Sequence, residues 1–381
     1  MPLNTNSMLD AIEGSPIRRF AALARTTPDC VSLTLGEPGE DTPRPICEQV
    51  TADLEAGATH YPPNPGMLHL RRTIASWERA QGVGWATHDD VVVTIGATEA
   101  LSSTLTALLE PGDEVIVVRP AFTLYESLVQ LHGATPVPLD IAQTDFQVSG
   151  EALRQAVSSR TKAIVVCSPN NPTGCALNTA SLDAIADAAL SHDFYVICDD
   201  VYAELTYTKT FERLAAHRMD IADRVIVVGS LSKPWAMTGW RVGWALARGE
   251  VFQAIAKVHQ LTVSCSPAML QGAAVVALRT PTDDMRATYA KRRAKVKRAL
   301  GDMGLAAPRL DGAFYAFPRV SDLGLDDVTF CERAIREHGV GLVPGSFFGG
   351  AGHVRLSYCC DDDSLARGLS RLAAFVSDLR G

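Results

Sequence analysis

Short apolar runs alternate with amphipathic stretches along the middle of the chain. Runs rich in β-branched residues predict strands at 91–95, 114–118, 163–167, 195–198, 225–228 and 242–246. Apolar residues with helical spacing predict helices at 99–109, 124–131 and 182–190. Continuous apolar strands that alternate with helices are typical of a largely parallel sheet covered on both faces. We therefore expect an α/β fold with a mainly parallel central sheet flanked by helices.

The pattern of the chain changes after residue 280. The remaining elements are predicted as a basic helix at 285–300, a strand at 314–317, a helix at 330–337, a strand at 354–358 and a helix at 365–379. This order predicts a smaller α+β domain. We expect a large domain over 45–280 and a small domain formed by 1–44 together with 281–381. The basic helix is more typical of a solvated helix face than of a nucleic-acid patch.

Composition and charge exclude several classes of function. The chain has 381 residues and a formal net charge of −8, which argues against nucleic acid or an anionic membrane as the main partner. No uncharged apolar run is long enough to span a bilayer. The nine cysteines form no C-x-x-C pair, so we expect neither a metal site nor a disulfide framework. The first residues do not resemble a signal peptide, and we expect a cytoplasmic, reducing location.

A group of chemically active residues follows the predicted strand 225–228. It contains Ser230, Ser232 and Lys233, and Arg241 lies eight residues further along. In an open α/β sheet, ligands bind beyond the carboxyl ends of the strands. Arginine and serine side chains bind phosphate, and a lysine amine forms a Schiff base with an aldehyde. A lone lysine after a strand is usually a solvated surface residue, but this combination is far more specific.

Two further strand ends carry polar side chains. Asp199 could pair with a protonated pyridine nitrogen, and Tyr202 could donate to an oxygen on the same ring. The alternative is that the carboxylate caps a following helix while the tyrosine packs in the core. Asn171, in the string SPNNPTG, either serves only as a turn former or presents its amide to that ring oxygen.

Three weaker signals lie elsewhere in the chain. Ala97 and Thr98 lie between a predicted strand and the start of a predicted helix, where backbone N–H groups attract an anion. Phe122 could stack on a flat ring, although an isolated phenylalanine is more often a core residue. Arg355, on the predicted strand 354–358, either clamps a substrate carboxylate or forms a surface salt bridge.

These strings occur in the order found in a known enzyme family. Together with LGEPGEDTP near residue 36, HYPPNPG near residue 61, GAFYAFP near residue 315 and GLVPGSFFG near residue 345, they resemble the class I/II aminotransferases. These are aspartate-aminotransferase-like, fold-type I enzymes that depend on pyridoxal 5'-phosphate. The resemblance covers nearly the whole chain. It implies transfer of an amino group from an L-amino acid to a 2-oxo acid, through a Schiff base with Lys233 and the pyridoxamine form of the cofactor.

The resemblance also implies roles for individual residues. The implied catalytic residues are Lys233, Asp199 and Tyr202. The implied cofactor-binding residues are Ala97, Thr98, Phe122, Asn171, Asp199, Tyr202, Ser230, Ser232, Lys233, Arg241 and Tyr61. The implied substrate-binding residues are Gly36, Asn171 and Arg355. Tyr61 matches a tyrosine that reaches the phosphate of the neighbouring subunit, so the resemblance implies a homodimer with shared active sites.

Several alternatives remain open at this point. The same residues support a lyase, a cyclase or a synthase that acts on an amino acid. A DNA-binding regulator on this fold would need another domain before residue 36, and no G-x-G-x-x-G motif supports a dehydrogenase. The loop YPPNPG has more prolines than the family usually has, which bears on substrate preference. Arg18 and Arg19 are candidates for a second cation that would bind a dicarboxylic substrate, although solvent-exposed positions at a helix start are the stronger explanation for them.

Overall fold

The computed structural model describes residues 5–12, 14, 16–208 and 211–381 of the chain. The strands in this part are Val31–Ser32 (β1), Val91–Thr94 (β2), Glu114–Arg119 (β3), Thr135–Asp140 (β4), Thr161–Cys167 (β5), Tyr195–Asp199 (β6), Val225–Ser230 (β7), Gly243–Leu246 (β8), Tyr315–Ala316 (β9), Val340–Gly341 (β10), Val343–Pro344 (β11) and Val354–Ser357 (β12). All of the strands predicted from the sequence are present, with ends that move by up to two residues.

The α-helices surround these strands. They are Pro16–Thr26 (α1), Arg44–Glu55 (α2), Leu68–Ala80 (α3), Gly96–Leu108 (α4), Leu124–Leu131 (α5), Gly150–Ala156 (α6), Thr179–His192 (α7), Leu214–His217 (α8), Gly249–Val263 (α9), Ala268–Arg279 (α10), Asp283–Asp302 (α11), Asp327–His338 (α12) and Asp362–Arg380 (α13). No helix within the described ranges is both long enough and apolar enough to cross a membrane.

The central sheet has seven strands in the order β2-β8-β7-β6-β5-β3-β4. Only β8 runs antiparallel to its neighbours, so the predicted mainly parallel sheet is confirmed. Successive side chains of a strand point to opposite faces of the sheet and pack in two different hydrophobic cores. Val115 and Val117 pack on one face of the sheet, whereas Ile116 and Val118 pack on the other. Both faces are therefore covered, as the continuous apolar runs predicted.

The edge strand β4 was not predicted from the sequence. Its residues TPVPLD include Pro136 and Pro138, which have no backbone N–H to donate. The N–H of Thr135 donates to Asp113 on the β3 side, so the alternate positions, occupied by the prolines, face the open edge. A strand that pairs on one side only tolerates this arrangement.

The C-terminal part of the chain contains two small sheets. One is the antiparallel sheet β11-β12-β9, and the other is a parallel pair between β1 and β10. Because β1 comes from the N-terminal segment, that segment packs directly on the C-terminal part. The N–H of Ser357 also donates to the Leu33 carbonyl at 2.9 Å. These contacts place β12 and the segment after β1 beside the carboxyl ends of the central strands.

Candidate active site

A cavity of about 330 Å³ opens where β6 and β7 end, between the first turn of α4 and the N-terminal segment. Twelve of the thirteen predicted site residues line it, namely Gly36, Ala97, Thr98, Phe122, Asn171, Asp199, Tyr202, Ser230, Ser232, Lys233, Arg241 and Arg355. The thirteenth, Tyr61, lies elsewhere on the surface and is 90% exposed. The structure thus brings together residues that are separated by up to about three hundred positions in the chain.

Lys233 lies in the turn that follows β7, and its amine points into the cavity. A residue of the N-terminal segment stabilises this turn, because the hydroxyl of Thr42 donates to the Ala236 carbonyl at 2.7 Å. Lys233 Nζ donates to the Gly36 carbonyl at 2.6 Å. Burial lowers the pKa of Lys233 from 10.5 to about 8. An amine with this pKa is partly neutral near physiological pH, and a neutral amine is the nucleophilic form.

Asp199 is the last residue of β6 and is almost completely buried. Its Oδ2 atom accepts a hydrogen bond from the Tyr125 hydroxyl at 2.6 Å. Burial raises the pKa of Asp199 to about 6, while the donation from Tyr125 opposes that rise. No helix begins directly after Asp199 in the described chain, so the alternative in which it caps a helix is wrong.

Tyr202 lies three residues after Asp199, and its side chain reaches across the cavity. Its hydroxyl lies 2.9 Å from the hydroxyl of Tyr315, a residue of β9. Tyr315 also contacts Gly36 so closely that an added Cβ there would lie 1.7 Å from the phenolic oxygen. A glycine at position 36 is therefore required for the N-terminal segment to pass the cavity at this distance.

Arg355 projects from β12 and is fully enclosed, with 2% exposure. Its Nη1 donates to Asn171 Oδ1 at 2.9 Å, and its Nη2 donates to the Thr34 carbonyl. The guanidinium also lies over the rings of Tyr315 and Phe348, at 4.7 and 4.8 Å from their centroids. The alternative of a surface salt bridge is wrong. Within the described chain no carboxylate pairs with Arg355, and a substrate carboxylate could take that place.

Donors suited to a phosphate converge at the other end of the cavity. Ser230 and Ser232 are buried, and their hydroxyl oxygens lie 2.9 Å apart. Arg241 lies at the rim, with its Nη1 donating to the Thr238 carbonyl at 2.9 Å. The first turn of α4 adds backbone N–H groups and the positive end of the helix dipole.

Two glycines allow these donors to come together. An added Cβ on Gly96 would lie 2.4 Å from Arg241 Nη2. An added Cβ on Gly243 would lie 2.8 Å from the backbone nitrogen of Ala97. The phosphate-sized cradle therefore depends on close approach between β8, the Arg241 side chain and the start of α4.

This donor set fits pyridoxal phosphate group by group. The cradle of Ser230, Ser232 and Arg241 suits the phosphate, and the Asp199 carboxylate suits a protonated ring nitrogen. The Lys233 amine suits the aldehyde. Phe122 is half-buried and faces the cavity, where a flat ring can stack on it.

Sequence reasoning missed two residues that contact the predicted ones. Tyr125 lies three residues after Phe122, and its ring packs against the Phe122 ring with centroids 5.9 Å apart, so its short separation from Phe122 in the sequence could have indicated it. Tyr315 lies in the string GAFYAFP, which contributed to the resemblance, but no role was assigned to it, because the pairing of β9 with β12 brings its side chain to the cavity. Of the two candidate cations, Arg18 lines the cavity, whereas Arg19 does not and lies 3.7 Å from Glu332.

Comparison with known proteins gives a consistent result. The family model for aminotransferase class I and II matches residues 28–372. A putative aminotransferase of Bacillus subtilis is 37% identical, with 96% of each chain covered. An aspartate aminotransferase of Pyrococcus abyssi is 36% identical, again with 96% of each chain covered. The solved structure of the Thermus thermophilus aspartate aminotransferase with maleate superimposes with a TM-score of 0.93 at 34% identity and covers 98% of this chain and 100% of its own.

These matches extend over nearly the whole chain and agree with the chemistry of the cavity. They support amino-group transfer and give no support to a lyase, cyclase or synthase. The chain belongs to the class I and II aminotransferases, enzymes that use pyridoxal phosphate to move an amino group from an amino acid to a 2-oxo acid.

Proposed function

We propose that Lys233 is the residue that forms the covalent link with the cofactor and then moves the reacting proton. One observation carries this proposal: the Lys233 amine is buried in the cavity that also holds Asp199 and Arg355. When bound, pyridoxal phosphate supplies an aldehyde that condenses with amines and a ring that accepts electrons from the substrate α-carbon.

Each remaining residue of the cavity then has a defined task. Asp199 holds a proton on the pyridine nitrogen, because its carboxylate is ionised above a pKa of about 6. Tyr202 donates to the ring oxygen, and Asn171 lies beside it in the same cavity. Ser230, Ser232, Arg241 and the backbone at Ala97 and Thr98 hold the phosphate, while Phe122 packs on the ring.

The substrate is oriented by its carboxylate. Arg355 binds both carboxylate oxygens, and Asn171 keeps the guanidinium in the required plane through the 2.9 Å hydrogen bond. Gly36 forms the wall on the opposite side. With the carboxylate fixed, the Lys233 amine would be placed to accept the α-proton at Nζ and to donate it again, acting as a general base and acid.

A single-turnover experiment tests these roles. The cofactor-loaded enzyme is mixed with single amino acids and no 2-oxo acid, and the absorbance of the bound cofactor is followed. We expect the visible band to be lost in proportion to the 2-oxo acid formed. Lys233→Ala should abolish this conversion, with Lys257→Ala on the exposed part of α9 as the control. Normal turnover by Lys233→Ala would overturn the assignment.

We also propose that two chains form a dimer with shared sites. Tyr61 is 90% exposed, Leu68 is 44% exposed and Leu261 is 78% exposed. The segments that carry them are joined, since Asn64 Nδ2 donates to the Ser264 carbonyl at 2.9 Å. Burial of these side chains against a second copy would bring Tyr61 to the partner's phosphate cradle. Analytical ultracentrifugation tests the dimer, and a monomer at micromolar concentration would contradict it.

The domain division and the location complete the proposal. We propose that 45–280 forms the large cofactor-binding domain and that 1–44 with 281–381 forms the small one, supported by the pairing of β1 with β10. Limited proteolysis with mass spectrometry tests this boundary.

A reducing cytoplasmic location is supported by the nine cysteines, all of which are free thiols.

A further inference from the structure

The start of α4 lacks the usual type of helix cap. The first four backbone N–H groups of a helix have no acceptor within the helix, and here they belong to Ile95, Gly96, Ala97 and Thr98. The residue before a helix usually supplies a side-chain oxygen that accepts the N–H of the second or third helical residue. Ile95 occupies that position and has no such oxygen. Ala97 and Thr98 line the active-site cavity, so their N–H groups remain available for a bound anion.

The carboxylate of Glu99 accepts the first of these four N–H groups. Its Oε2 atom accepts from the Ile95 N–H at 2.9 Å, so the side chain folds back over the first turn of the helix. This contact closes the N-terminal end of α4 without using the next three donors. The N–H groups of Gly96, Ala97 and Thr98 are thereby reserved for the phosphate.

Two buried side chains hold the Glu99 carboxylate in this position. The Ser103 hydroxyl donates to Oε1 at 2.6 Å, and Nδ1 of His259 lies 3.2 Å from the same oxygen. An ionised carboxylate only accepts hydrogen bonds, so the proton of that second contact belongs to His259. His259 lies on α9 and is completely enclosed. Three donors therefore fix the two oxygens of a carboxylate that does not itself line the cavity.

The first turn of α4 has little space in which to move. The Thr94 hydroxyl donates to the Gly96 carbonyl at 3.0 Å. An added Cβ on Gly243 would lie 2.7 Å from the carbonyl carbon of Gly96, and one on Gly96 would lie 2.4 Å from Arg241 Nη2. A small movement of this turn would therefore change the distance between its N–H groups and the other phosphate donors.

Resting on the proposed phosphate cradle, we propose that Glu99 is a positioning residue, which holds the first turn of α4 so that three consecutive N–H groups face the cofactor phosphate. Glu99 contacts neither the phosphate nor the substrate and acts through the backbone. A simpler role would be that of an acidic residue that stabilises the helix through its dipole. That role would change the stability of the fold without changing the preference for a phosphorylated ligand.

Binding of inorganic phosphate to the full chain without cofactor, measured by calorimetry, tests the proposal. We expect Glu99→Ala to lower phosphate affinity by about tenfold or more, because the acceptor of the Ile95 N–H is lost. Ser103→Ala removes only one donor to Glu99 and should lower it by about threefold. Glu99→Gln keeps an oxygen for the Ile95 N–H and should retain the affinity within about threefold. Glu151→Ala, which removes a carboxylate from the first turn of α6, is the matched control.

A comparison of pyridoxal phosphate with pyridoxal separates positioning from helix stability. Quenching of protein fluorescence reports both affinities, and Glu99→Ala should lower the first by about tenfold and leave the second unchanged. Equal losses for the two compounds would overturn the proposal. Unchanged phosphate affinity in Ser103→Ala would also overturn it, and this variant keeps the helix even if Glu99→Ala does not fold. If the unmodified chain does not bind inorganic phosphate, the cradle itself is wrong and the role of Glu99 with it. The activity of Lys233→Ala bears only on the lysine, so the two proposals can fail separately.

Discussion

The hydrogen bond from Tyr125 to Asp199 offers a direct test of how the site keeps a carboxylate ionised inside the protein. Burial raises the pKa of Asp199 to about 6, and the donated hydroxyl opposes that rise. Tyr125→Phe removes the hydroxyl and keeps the ring in the core. A hydrogen bond to a charged group contributes about 1.5–3 kcal/mol, and one pKa unit corresponds to about 1.4 kcal/mol. The pKa of Asp199 should therefore rise by about one to two.

The direction of the pH dependence follows from the charge of the acid. Asp199 can hold the proton of the pyridine nitrogen only when it is ionised, so cofactor affinity should fall as the pH drops through about 6. In Tyr125→Phe the same fall should occur about one to two pH units higher. Two other charged groups influence Asp199: Asp200 raises its pKa, and Lys233 lowers it.

Cofactor affinity between pH 5 and pH 9 is the appropriate measurement, with quenching of protein fluorescence as the signal. Both proteins should carry Lys233→Ala, so that titration of the amine does not contribute. Tyr195→Phe, at the opposite end of β6, is the control for the loss of a tyrosine hydroxyl. If Tyr125→Phe binds the cofactor with the same pH dependence as this control, then Tyr125 does not support the charge of Asp199.

Three other substitutions have defined outcomes. Gly243→Ala would place a Cβ 2.7–2.8 Å from the backbone at the start of α4, and cofactor affinity should fall by about tenfold or more while the fold persists, as fluorescence titration and circular dichroism can show. Arg355→Lys loses the bidentate geometry and should raise KM by about tenfold to a hundredfold with unchanged cofactor affinity, which steady-state kinetics can measure. Arg213→Met leaves the buried Glu78 without its guanidinium partner at 2.8 Å and should lower the free energy of unfolding by about 3–5 kcal/mol, measured in urea.

The site residues that follow strands could be predicted from the sequence, because parallel strands bring the residues after their carboxyl ends to the same edge of the sheet. Asp199 and Lys233 each follow a continuous apolar run, and parallel strands bring such ends to one edge. Asn171 follows β5 in the same way. The residue types at these positions indicated the cofactor, and the structure places all three on one cavity.

Residues that depend on contacts across the fold were not predictable in this way. Tyr315 reaches Tyr202 only because β9 pairs with β12, and no local pattern near residue 315 determines that register. The edge strand β4 was missed because its two prolines argue against a strand unless its edge position is known.

Arg355, the proposed carboxylate-binding residue, belongs to neither the central sheet nor the N-terminal segment, but its hydrogen bonds connect it to both. Its guanidinium donates to Asn171, which follows β5, and to the carbonyl of Thr34, which follows β1. Gly36, two residues after Thr34, accepts the hydrogen bond from Lys233. One short segment therefore connects the Arg355 guanidinium with the Lys233 amine. Under the proposed roles of Arg355 and Lys233, a shift of that segment would change the position of both groups together, so carboxylate binding would be coupled to alignment of the amine.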